Sequence, residues 1–133
     1  NKNGQALVQS LNNGATSTQL GDWLAGALPN MFADLAGKTN TEVGAHFRTL
    51  FAIRGQKLQA QVMATALAVY VTNESLAGNA AQPYGFTITT YGVGNRIYNV
   101  GTNGEAFGVY NYIEMTVLEL LSATDARTEN GVL

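Results

Sequence analysis

The chain has 133 residues, a formal net charge of −2, 46% hydrophobic residues and only 12% charged ones, which is enough for one domain with its own buried core at about half the usual charge. Seven Lys and Arg scattered along the chain form no basic stripe to neutralise phosphates, which argues against nucleic acid as a partner, and no apolar run approaches the ~20 residues of a membrane-spanning helix. The absence of cysteine rules out disulfides, thiolate metal sites and thiol nucleophiles.

In chain order, Leu7, Val8 and Leu11 stand at helical spacing, and Asn13-Gly14 is a good stop because glycine accepts the left-handed cap conformation. A second helical stripe runs through Leu20, Trp23, Leu24, Ala27, Leu28, Met31, Phe32 and Leu35, with Thr16 or Ser17 as cap and Gly37 as its end. Pro29 lacks the N–H that would bond back one turn, so a kink or restart is predicted there. Thr39 to Glu42, "TNTE", is a capping-box pattern opening a third helix, whose stripe is Val43, Phe47, Leu50, Phe51 and Ile53, ending near Gly55.

The fourth helix, from Gln56 to about Thr72, is apolar around most of its circumference, through Leu58, Val62, Met63, Leu67, Val69, Tyr70 and Val71. Alanines at 60, 64, 66 and 68 let neighbours approach closely, which makes this the predicted central helix. The "AGNAAQP" stretch then breaks the pattern. Phe86, Ile88 and Thr90 alternate as in a half-buried strand, Ile97 to Val100 reads as the returning strand, and the "GVGN" between them as the hairpin bend. Asn103-Gly104 predicts a second turn, followed by a third short strand over Ala106 to Val109. A second capping-box pattern, Thr116 to Glu119, opens a last helix through Thr128, closed by Asn130-Gly131.

"GVGN" is a poor phosphate loop. A dinucleotide fingerprint needs a further glycine three residues on and then a helix, whereas Asn95, Arg96 and Ile97 follow Gly94 and lead into strand-forming residues. Gly92 and Gly94 are read instead as turn residues needing positive φ. His46 is the one histidine and lies at the edge of an apolar stripe; Asp22, Asp34, Glu42 and Asp125 are acids that could approach it, but no spacing predicts that they do. Glu42 and Glu119 are accounted for as caps, and most of the remaining acids fall on polar faces, so no catalytic, metal or cofactor-binding residue is expected. Trp23 sits on a helical stripe and is expected in the core. Tyr84, Tyr91, Tyr98, Tyr110 and Tyr112 cluster around the predicted hairpin, where aromatics serve either sheet packing or a contact face. Asn73-Glu74-Ser75 matches a glycosylation acceptor, a pattern too short to decide anything.

The stretches "NKNGQALVQSLN", "GKTNTEVGAHFRTLFA", "KLQAQVMATALAVYVT", "YGFTITTYGVGNRIYNVGTNGEAFGV" and "ATDARTENGVL" cover most of the chain. In pattern and order it resembles a domain of very large secreted or cell-surface proteins of planctomycete-type bacteria, which also carry Ig-like modules similar to surface-adhesin B repeats. The resemblance implies an extracellular setting and transfers no site residues. In that family an aromatic "GFW"-like lead-in precedes this start and a further helical stretch follows "NGVL".

These readings predict one α+β domain over 1–133, mainly helical, with four or five helices and a small antiparallel β-hairpin sheet, cut from a larger multidomain protein. The expected function is a non-enzymatic structural or adhesive module that contacts itself or neighbouring modules. The alternative is a carbohydrate-binding module that presents its tyrosines to a glycan.

Overall fold

The computed structural model describes residues 2–52 and 58–128. It is mainly helical, at 68%, with one two-stranded antiparallel sheet. The described residues form seven α-helical segments and five 3-10 turns, more than the four or five helices the periodicity suggested, because several stripes are broken by caps and by proline.

Helix α1 (Lys2–Ser10) buries Leu7 and Val8 and runs into a 3-10 turn, Leu11–Asn13. Asn12, Asn13 and Gly14 take positive φ values of 52, 78 and 123°, which stop the helix as its Asn-Gly pair predicts. The second stripe is divided into α2 (Gln19–Ala27), α3 (Pro29–Phe32) and a 3-10 turn over Ala33–Leu35. Pro29 occupies the first turn of α3, where its missing N–H is no loss, so the helix restarts rather than bends. Leu20, Leu24, Leu28, Phe32 and Leu35 are nevertheless all buried, so one apolar stripe survives the break. The cap of α2 is Thr18 rather than Thr16 or Ser17; Ser17 offers its Oγ only to the N–H of Gln19, at 3.4 Å.

The Thr39–Glu42 capping box forms in front of α4 (Asn40–Ala52): the N–H of Thr39 donates to Glu42 Oε1 at 3.0 Å and that of Glu42 to Thr39 Oγ1 at 3.2 Å. The expected ends at Ile53 and Gly55, the expected start at Gln56 and the closing Asn130-Gly131 lie outside the described residues. Helix α5 (Leu58–Thr72) is the central element, with buried residues on every side, among them Ala60, Met63, Ala66, Val69 and Tyr70. Burial of one such large side chain contributes about 1.5–3 kcal/mol. Two buried polar groups fix how the N-terminal turn seats on this core. The Tyr70 hydroxyl donates to Asn12 Oδ1 at 2.7 Å, while Asn12 Nδ2 donates to the carbonyl of Leu76 at 2.8 Å. Asn40, fully buried, donates from Nδ2 to the carbonyls of Leu11 and Gly14 at 2.7 and 2.9 Å. Trp23 is only partly buried, with its ring 5.3 Å from that of Tyr70.

A short helix α6 (Glu74–Ala77) follows, capped by Asn73, whose Oδ1 accepts from the N–H of Leu76 at 3.2 Å. Beyond it the sheet departs from expectation. Phe86 to Thr90 forms no strand; its one ladder contact is an isolated parallel bridge between Thr89 and Asn73. The strands are β1 (Ile97–Asn99) and β2 (Glu114–Thr116), pairing Ile97 with Thr116, Tyr98 with Met115 and Asn99 with Glu114. Ala106 to Val109 is no strand either: residues Gly101–Phe107, Asn103-Gly104 included, form a 3-10 turn. Helix α7 (Val117–Ala126) begins on the second capping box, Thr116 with Glu119, and ends before the predicted Thr128.

Candidate functional site

"GVGN" is neither a phosphate loop nor a hairpin bend. Val93–Asn95 is one turn of 3-10 helix seated on the C-terminal end of α5. The N–H of Val93 donates to Thr72 Oγ1 at 2.9 Å, and that of Gly92 to Thr89 Oγ1 at 2.8 Å. Gly92 does have positive φ, 64°, and a Cβ there would stand 2.6 Å from Thr72 Oγ1 and 2.8 Å from the backbone of Asn73. Gly94 does not take positive φ. It is small because a Cβ would press on Val69 Cγ1 at 2.8 Å. Both glycines therefore serve close packing on the central helix.

The segment after this seat is a long excursion. The N–H of Val117 donates to the carbonyl of Arg96 at 2.9 Å and closes its base. Above the paired strands, the N–H of Val100 donates to Ile113 O at 3.0 Å and that of Tyr112 to Gly101 O at 2.7 Å. Asn99 Nδ2 reaches Tyr112 O at 3.0 Å, and the N–H of Gly104 reaches Asn111 Oδ1 at 3.1 Å. Residues 96 to 117 thus form one ribbon held by backbone and asparagine side chains, with Val100 and Met115 as its buried apolar residues. Paired residues share a face, so Tyr98 lies on the side of Met115, whereas Ile97, Thr116, Asn99 and Glu114 lie on the other.

The five predicted tyrosines are all exposed and do not form one cluster. Tyr98, Tyr110 and Tyr112 belong to the ribbon, and Tyr110 is the most exposed of the five, at 87%. Tyr98 borders a groove of about 320 Å³ with Thr65, Val117, Leu121 and Thr124. Tyr91 borders a separate groove of about 180 Å³ with Trp23, Leu76 and Asn95, and Tyr84 ends a 3-10 turn. The sequence reading missed Ile97 and Ile113, which are exposed at 62% and 41% beside the tyrosines. Their apolar character suggests burial, and only the course of the folded ribbon reveals otherwise.

His46 lies on α4 facing a cleft of about 810 Å³, lined also by Asn30, Met31, Asp34, Gln59 and Thr128. Its ring meets that of Phe32 edge-on, with centroids 6.4 Å apart. The Nε2 atom is buried and finds no hydrogen-bond partner among the described residues. Burial pushes the imidazole below its ordinary pKa, and the Asp34 carboxylate works in the opposite direction. Of the acids considered near His46, Asp34 shares the cleft and Asp125 braces its wall, accepting the N–H groups of Asn30 and Met31 at 3.1 and 2.8 Å. Asp22 and Glu42 are engaged elsewhere, with the N–H of Gly37 and with Thr39. Among the described residues no three His, Cys, Asp or Glu side chains are placed to hold a metal ion, and no helix is long and apolar enough to cross a membrane.

No protein-family model, curated protein or solved structure matches this chain.

Proposed function

We propose that the chain is a non-enzymatic structural or adhesive module of an extracellular or cell-surface protein, in contact with further copies or neighbouring modules through the ribbon. One observation carries the reading: nine of the ten large hydrophobic side chains exposed among the described residues lie between 84 and 118, with Ile97, Tyr98, Tyr110, Tyr112 and Ile113 on the ribbon itself. Exposed apolar groups gathered in one region are a mark of contact surfaces, and aromatic side chains supply contact area at low entropic cost. Each strand also has a single neighbour in the described structure, which leaves an outer edge for pairing with another chain. The low charge and the likeness to domains of large surface proteins fit the same setting.

Sedimentation velocity over a concentration series tests this. Wild type is expected to associate reversibly, and Ile97→Lys and Tyr110→Ser to shift towards monomer with unchanged melting temperature. A wild type that stays strictly monomeric at millimolar concentration counts against self-association. The second reading, carbohydrate binding, is favoured by the groove beside Tyr98, where an aromatic ring stands next to the apolar Val117 and Leu121. On a glycan array, binding lost in Tyr98→Ala supports it, and silence favours the structural module.

A further inference from the structure

We infer that the outer edge of β1, rather than that of β2, is the contact strand, and that it pairs antiparallel with β1 of a second copy about a two-fold axis at Tyr98. This rests on the reading of the ribbon as a self-contact surface, and names the edge, register and symmetry of that contact.

The ladder fixes which backbone groups are open. The N–H of Val117 donates to Arg96 O and that of Val100 to Ile113 O, and bonded positions alternate along an antiparallel pair, so Arg96, Tyr98 and Val100 turn their backbone groups towards β2. Ile97 and Asn99 therefore turn theirs outward. The N–H and C=O groups of both lack a partner among the described residues, and all three residues of β1 are exposed. Backbone groups left open in this way are a template for another strand. The edge of β2 differs. Its Thr116 N–H is held by Glu119 Oε1 at 2.9 Å within the capping box, and Glu114 puts a charge on the same strand, which discourages pairing.

The occupant is a second copy because the β1 edge complements itself. Centring the pair on Tyr98 sets Ile97 opposite Asn99 of the other copy, so the outward N–H and C=O groups of each meet those of the other. The two Tyr98 residues then face each other at a non-hydrogen-bonded position, where side chains come closest. Met115 lies beside each of them, which gives one apolar row across the joined sheet. Arg96, just before the strand, comes opposite Val100, just after it, so the paired strands set no like charges against each other. A net charge of only −2 adds little repulsion between whole copies. The arrangement is a closed, isologous dimer. A strand of three residues offers a small contact, so the pairing is reversible.

The test uses variants of the whole chain. Ile97→Pro removes one outward N–H that the β1–β2 ladder does not use, and Arg96 before it is already extended, at φ −67° and ψ 141°, as a residue preceding proline prefers. In sedimentation velocity its association is expected to be at least tenfold weaker than that of Ile97→Ala, which loses the side chain but keeps the N–H. The chain has no cysteine, so Tyr98→Cys carries a single thiol. Facing residues at a non-hydrogen-bonded pair have Cα atoms about 4.5 Å apart, close enough for a disulfide. In a glutathione redox buffer Tyr98→Cys is expected to bridge into a dimer at least tenfold faster than Tyr112→Cys or Glu114→Cys. An associating wild type in which Ile97→Pro is no weaker than Ile97→Ala overturns the inference and leaves the ribbon reading standing, and so does bridging at Tyr98→Cys no faster than at the other two sites. A strictly monomeric wild type overturns both. If Ile97→Pro fails to fold, the bridging rates decide alone.

Discussion

The helical body and the ribbon use the same kinds of residue in opposite ways. In the body Leu11, Leu20, Leu24 and Leu28 have no exposed surface, whereas on the ribbon Ile97, Tyr98, Tyr110 and Tyr112 are each more than half exposed. The body is specified by apolar packing around α5. The ribbon is specified by hydrogen bonds of its own backbone and of Asn99 and Asn111, with Val100 and Met115 buried in it and Val117 packed against the core of the body. Buried apolar surface therefore resides in one region, and exposed apolar surface in the other.

The largest expected effect separates the two directly. Leu24→Ala should cost about 2–5 kcal/mol in chemical denaturation, whereas Tyr110→Ala should stay within about 0.5 kcal/mol of wild type. A comparable loss at Tyr110 would break the contrast. Next comes Asn40→Ala, which empties a fully buried site and removes one of the two donors to each of the Leu11 and Gly14 carbonyls, and should cost about 1–3 kcal/mol in the same experiment. Gly92→Ala should cost about 1–3 kcal/mol, since it forces a side chain to positive φ and against the backbone of Asn73. Gly94→Ala should cost less, because the neighbour it meets is the Val69 side chain. Thr116→Ala removes the cap where ribbon meets α7 and should cost about 1 kcal/mol.

The smallest effect is electrostatic. Folded His46 binds a proton less readily than unfolded His46, so the unfolded state gains protons first as pH falls. That contribution to stability is fully present above pH 6.5 and is lost on acidification through the lowered folded value, and His46→Phe should flatten this part of a melting-temperature profile.

The body was legible in sequence because its signals are local. The stripe from Leu20 to Leu35, the break at Pro29, the two capping boxes and the all-round apolar α5 each follow from residues within a few positions of one another. Of the ribbon, the strand predicted from Ile97 was legible and forms as β1, but its partner was not, because the strands are three residues long and pair across the intervening residues 100 to 113. The alternation from Phe86 to Thr90 pointed to a strand, yet Thr89 exchanges its backbone bonds with Thr72 and Glu74 at the end of α5, so tertiary contact overrode local propensity. The tyrosines were visible as residues, but their exposure depends on that long-range pairing. The cleft was less legible still: Asp34 and Asp125 stood out only as acids, and nothing local announces that residues 30, 46, 59 and 128 meet.

Gly101 and Tyr112 are joined by a 2.7 Å hydrogen bond, so the ten residues between them begin and end at almost the same point. A protein engineer could splice another sequence in at those two ends, as a tool head is changed on a fixed handle, keeping the part of the turn Gly101–Phe107 that rests on α7. The splice points thereby separate the part that sets the shape from a part whose sequence can be varied.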